Sequence, residues 1–80
     1  MARLLTRDSE EICSLAHLVV EGVSFTADVA PYVAAREATD EAVLHTGGAH
    51  YRVIIDAWDV TLENGRQIGR VRGRIAAKSP

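Results

Sequence analysis

The chain has 80 residues and 48% apolar, 25% charged content, which are globular values and exclude a disordered chain. Surface scaling takes a chain of this size from about 12,600 Å² unfolded to about 4,700 Å² folded, enough for one domain with one modest core. A single cysteine, Cys13, excludes an internal disulfide framework, and no apolar run or signal-peptide pattern points to a membrane, so the expected location is the cytoplasm. The net charge of −2 is unevenly spread. All eleven acids lie between Asp8 and Glu63, whereas Arg66, Arg70, Arg72, Arg74 and Lys78 follow with no acid among them.

Residues 1–7 form a short lead-in in which Leu4 and Leu5 pack as a brief strand or staple. Asp8 followed by Glu11 has capping-box spacing, and Ile12, Leu15, Ala16 and Val19 repeat at the spacing of one helical face. With Gly22 as the residue past its end, a first helix is predicted over 9–21. Val23, Phe25, Ala27 and Val29 then alternate with Ser24, Thr26 and Asp28, the period of a half-buried strand that Pro31 ends.

A second helix is predicted over 31–46. Proline suits a first turn, and Ala35, Ala38, Ala42, Tyr32 and Val43 form a small-residue stripe opposite Arg36, Glu37, Asp40 and Glu41. Val33 and Leu44 fall near its polar side, and a strand through 32–35 is the competing reading. Gly47 and Gly48 stop this helix.

Residues 51–77 read as a hairpin closed by a type I′ turn at Asn64 and Gly65. If Glu63 faces Arg66, then Val60 faces Gly69, Trp58 faces Val71, Asp56 faces Gly73 and Ile54 faces Ile75. The expected core face is Ile54, Trp58, Val60, Leu62, Val71 and Ile75, with the indole lying over the bare backbone of Gly69 and Gly73. The other face pairs Asp59 with Arg70, Ala57 with Arg72, Ile55 with Arg74 and Val53 with Ala76. The resulting fold class is α+β in the order α-β-α-β-β, with both helices covering one face of a three- to four-stranded antiparallel sheet.

No catalytic constellation emerges, which points away from an enzyme, and no cofactor or metal is implied. Cys13 and His17 are four apart, but two ligands do not make a metal site, and His45 and His50 add no second pair of ligand spacing. Gly47-Gly48 lacks the features of a phosphate loop. Two surfaces stand out for partners. Arg70, Arg72 and Arg74 repeat about 7 Å apart along one strand face, a spacing that suits phosphates. Glu10, Glu11, Glu37, Asp40 and Glu41 suit a basic protein surface.

In length, single-unit organisation, the hairpin from Leu62 to Arg66, the acidic segments 8–11 and 37–41, and the lack of a catalytic set, the chain resembles small phage-encoded inhibitors of type I CRISPR–Cas complexes. That resemblance implies binding to the effector complex (Cascade) and blockade of its access to target DNA. The alternatives from the residues alone are a nucleic-acid-binding protein using the arginine strand, and a homo-oligomeric module using Val53 and Ile55 or the edge strand. A monomer and a homodimer both fit.

Overall fold

The structure, a computed structural model, describes residues 2–37 and 39–78. It is almost entirely β: β1 (Ala2–Leu5), β2 (Glu11–Glu21), β3 (Ser24–Val29), α1 (Pro31–Arg36), β4 (Glu41–Thr46), β5 (Ala49–Glu63) and β6 (Arg66–Lys78). The strands close into an antiparallel barrel in the order β1-β2-β3-β6-β5-β4. Two three-stranded meanders, β1–β3 and β4–β6, are joined by α1 and sealed by the β1·β4 and β3·β6 pairings. The α+β expectation, with helices on one face of an open sheet, is therefore corrected to a closed all-β barrel with one helical segment of six residues.

The first predicted helix is strand β2. Its register against β1 shifts beside Leu5, and its register against β3 shifts between Ala16 and Val19, where His17 takes a left-handed φ of 50°. Each bulge adds one residue to β2 and resets the in-out alternation. Leu15 is buried, and Ile12, Cys13 and Leu18 pack against the core. An inward spacing of three at Ile12, Leu15 and Leu18 imitates a helical face. Asp8 caps nothing: the segment before β2 is a turn in which Glu10 N–H donates to Thr6 Oγ1 (3.1 Å) and Thr6 N–H to the Glu10 carbonyl (2.7 Å). Gly22, with φ of +62°, opens the two-residue β2–β3 turn instead of ending a helix.

The second predicted helix survives for its first six residues only. Pro31 sits in the first turn as expected, and Val33 and Ala34 are buried. Glu37 leaves the helix in an extended conformation. From Glu41 the chain is β4, with Ala42 and Leu44 fully buried and Val43 and His45, which alternate with them, half-exposed. Leu44, misplaced on the helical reading, is a core residue on the strand reading. Ala38 lies outside the described residues. Gly47 and Gly48, both at positive φ, form the β4–β5 hairpin turn between the paired Thr46 and Ala49.

The Asn64-Gly65 hairpin is present, with both residues at positive φ and with the expected pairs from Glu63↔Arg66 through Ala57↔Arg72. Beyond that point a bulge at Asp56 moves the register by one, so that Ile55 faces Gly73, Ile54 faces Arg74 and Val53 faces Ile75. A second shift between Arg52 and Val53, on the β6 side, restores the original register at Arg52↔Ala77. One bulge turns the strand over. Val53 and Ile55, expected on the arginine face, are buried, while Ile54, Val60 and Leu62, expected in the core, are exposed. Trp58 and Ile75 stay partly buried against the core and Val71 is fully buried.

The core fills the barrel with Leu4, Phe25, Leu44, Val53 and Val71 at its centre. The glycine positions on β6 are explained by other neighbours than the indole. A Cβ at Gly73 would lie 2.5 Å from the Ile54 carbonyl oxygen and 2.8 Å from Phe25 Cε1; one at Gly69 would lie 2.7 Å from the Val29 carbonyl oxygen. Gly73 thus admits the Phe25 ring, and Gly69 lets the chain pass closely from β3 into α1. Trp58 donates from Nε1 to the Thr39 carbonyl at 3.3 Å, tying β5 to the segment after α1.

Candidate protein-binding surface

Pairing between β3 and β6 stops at Val29↔Gly69, and pairing between β4 and β5 stops at Glu41↔Ile54. The hairpin continues past both limits to its tip at Asn64. A two-stranded arm therefore leaves the barrel. The long axis of 42 Å against 25 and 21 Å, and a surface of 5,225 Å² against the scaling value of about 4,700 Å², reflect this protrusion. Val60 and Leu62, on the Trp58 side of β5, carry the barrel's inward face out into solvent, with Leu62 73% exposed. Among the described residues no strand lies beside the β5 edge from Asp56 to Glu63 on the side away from β6.

The arm leaves from the end of the barrel where the acidic residues gather. β1 ends at Leu5, which pairs with Glu11 at the start of β2 and with Val43 near the start of β4. α1 crosses from the end of β3 to the start of β4 at the same end. Two acidic segments far apart in sequence are thus neighbours in space. Glu37 and Glu11 both act on the Cys13 thiol, which burial first, then Glu37, then Glu11, push up to about 11. This places Cys13 among poor nucleophiles. His17 sits at the β2 bulge, and no group of three metal-ligating side chains occurs among the described residues.

Of the predicted acids, Glu11 accepts from Ser14 Oγ at 3.0 Å, Glu37 accepts from Thr39 Oγ1 at 2.6 Å, and Glu41 meets Arg52 at 3.7 Å. Asp40 holds β5 through its backbone carbonyl, which accepts from Ile55 N–H at 2.8 Å. Glu10 and the Asp40 carboxylate are exposed. Tyr32 on α1, 68% exposed, has the Arg36 guanidinium 5.8 Å from its ring centroid. Glu10, Glu11, Glu37, Asp40, Glu41 and the apolar arm residues share one end of the molecule. Sequence reasoning missed Val60 and Leu62 as surface residues because it assigned them to the core; no local signal marks where a strand outruns its neighbours.

The arginine row lies on the outer wall, as expected of a face that is not core, but it is not a row of free cations. Arg70 Nε meets Asp28 Oδ1 at 3.3 Å and Arg74 Nε meets Asp56 Oδ1 at 3.4 Å. Asp59 lies across from Arg70 on β5 as predicted, yet the ion pair forms with Asp28 on the other side, on β3. Arg72, between Thr26 and Ala57, has no carboxylate partner among the described residues.

The fold and this surface define a small six-stranded antiparallel barrel that presents an acidic end and an apolar hairpin arm. No family model matches the chain, and comparison with curated proteins and with solved structures finds no significant match. Among the described residues no helix is long and apolar enough to cross a membrane.

Proposed function

We propose that this protein is a non-catalytic, cytoplasmic binding module that occupies a basic surface on a partner protein with the arm-bearing end of its barrel. The observation that carries this is that exposed Val60 and Leu62 lie on an arm leaving the same end of the barrel as the two acidic segments. Apolar contacts at the arm supply affinity, and the surrounding carboxylates select a cationic partner and speed encounter. At this end Asp8, Glu10, Glu11, Glu37, Asp40 and Glu41 outnumber Arg7, Arg36 and Arg52, the last already facing Glu41. The resemblance to small CRISPR–Cas inhibitors gives the specific form: docking on a nucleic-acid-binding surface of a type I effector complex, which blocks target DNA.

The nucleic-acid reading is weaker because Asp28 and Asp56 engage two of the three arginines. The homo-oligomer reading loses its apolar patch, since Val53 and Ile55 are buried. In its edge-strand form, two β5 edges paired antiparallel about Thr61 would set Asp59 against Glu63, which disfavours that register.

The test is co-elution with purified Cascade and a gel-shift measurement of its DNA binding. Leu62→Asp with Val60→Asp should abolish both association and inhibition, while Arg72→Ala should leave both intact. Failure to bind Cascade removes the effector-specific form. Association with a basic partner that persists in the double arm variant removes the arm-centred surface.

A further inference from the structure

At the opposite end of the barrel, the β4–β5 turn borders a cleft of about 370 Å³ lined by Arg3, His45, Thr46, Gly47, Gly48, Ala49 and His50. Three of these residues form a row across adjacent strands: Arg3 on β1 pairs with His45 on β4, which pairs with His50 on β5. The two imidazoles stack, with centroids 3.7 Å apart and planes 12° from parallel. Adjacent strands lie about 4.8 Å apart, so the row spans about 10 Å of the outer wall.

This cluster lacks a counter-charge. Arg3 has no carboxylate partner among the described residues. On the packed strands, Ser14 faces Arg3 across β2, Glu11 accepts from Ser14, and Arg52, further along the His50 strand, is paired with Glu41. Desolvation, then the neighbouring His50, then Arg3, lower the His45 imidazole below its ordinary value. The rim is bare backbone: positions 47 and 48 are glycines with nothing within 4 Å of where a Cβ would stand. A planar five-donor fork, two ring N–H donors and an unobstructed rim are the parts of an oxyanion site.

We propose that this cleft binds a phosphate group, with Arg3 as the bidentate anchor and His45 and His50 donating from one flank. Either a free phosphorylated small molecule or a nucleic-acid backbone could present that chemistry. Phosphate neutralises the excess of donors and favours the protonated imidazoles, so ligand and proton uptake are coupled. The site lies at the other end from the acidic surface and does not depend on it.

The chain's three histidines make the test internally controlled, because His17 lies on the β2 bulge outside the cleft. Imidazole resonances are followed by NMR at pH 6 during titration with inorganic phosphate, against chloride at matched ionic strength. The expected result is a saturable shift of the His45 and His50 signals, with their titration midpoints raised by about half a pH unit or more, and no change at His17. Arg3→Ala, at an exposed position, should weaken phosphate binding at least about tenfold with an unchanged circular dichroism spectrum, and Arg3→Lys should retain part of it. A twelve-residue oligo(dT) in place of phosphate distinguishes the sources: a tighter, salt-sensitive shift assigns the site to backbone phosphates, and a shift with phosphate alone assigns it to small ligands. Equal responses to phosphate and chloride, a uniform response of all three histidines, or wild-type binding by Arg3→Ala would overturn the proposal.

Discussion

Gly73→Ala tests the barrel interior most sharply, because two physical rules predict opposite signs for it. A glycine in an ordinary strand interior costs about 0.5–1 kcal/mol relative to alanine, so the substitution should stabilise if only the strand matters. In the barrel the new methyl would lie 2.5 Å from the Ile54 carbonyl oxygen, and 2.8 and 3.0 Å from Phe25 Cε1 and Cζ. The carbonyl contact is about 0.8 Å inside the shortest ordinary C···O approach of about 3.3 Å. Phe25 is 1% exposed, so its ring has little room to retreat, and the carbonyl belongs to a paired strand. Overpacking of this kind costs about 1–3 kcal/mol, and the presence of a backbone atom puts Gly73→Ala at about 3 kcal/mol. A domain of 80 residues has about 4–12 kcal/mol in total, so the variant should remain folded with a much reduced margin. The melting temperature should fall by about 12–24 °C. Urea unfolding followed by circular dichroism and by the fluorescence of Trp58, the single tryptophan, measures the change. Adding Phe25→Leu should recover less than half of the loss, because the carbonyl remains. Unchanged or increased stability in Gly73→Ala would refute the close approach of β3, β5 and β6 at this point.

The raised thiol of Cys13 predicts slow alkylation: at pH 8 its thiolate fraction should be about 100-fold below that of a free cysteine, and Glu37→Gln with Glu11→Gln should speed the reaction, both read with a maleimide or disulfide reagent. Because the folded thiol titrates above the unfolded one, the stabilisation linked to Cys13 is complete below pH 9 and is lost as pH rises towards 11; melting curves of Cys13→Ala should lack that part of the alkaline decline. Trp58→Phe removes the donor to the Thr39 carbonyl and should cost about 1 kcal/mol in urea unfolding, with a larger effect on amide exchange in segment 37–41 than elsewhere. Asp28→Ala should cost less than about 1 kcal/mol, since its pair with Arg70 is partly exposed and salt-screened; a larger loss would show the outer-wall pairs to be structural.

Local chemistry determined a definite share of this protein from sequence alone. Asn64-Gly65 demands positive φ at two successive positions, and that fixed the turn and the pairs out to Ala57↔Arg72. Strict alternation over residues 23–29 marked the strand that the structure shows as β3 over 24–29, and Pro31 marked the start of α1. The acidic segments were legible as charge clusters, and the arginines as an outer face. Tertiary structure decided the rest, because the deciding interactions are non-local. The bulges of β2 turn an in-out period of two into a spacing of three that a linear reading takes for a helix. Residues 41–46 continue a stripe of alanines that ends at Ala42 and lie beside acidic residues, yet β4 is held between β1 and β5, where barrel closure outweighs a helix propensity of a few tenths of a kcal/mol per residue. A single extra residue, Asp56, exchanges the faces of β5 before it and buries Val53 and Ile55, whereas Val60 and Leu62 are exposed because the hairpin runs past the ends of β3 and β4. Which strands neighbour β5, and where they stop, is set by the closing of the barrel, and that is what brings Glu11 beside Glu37 and sets Arg3 beside His45 and His50.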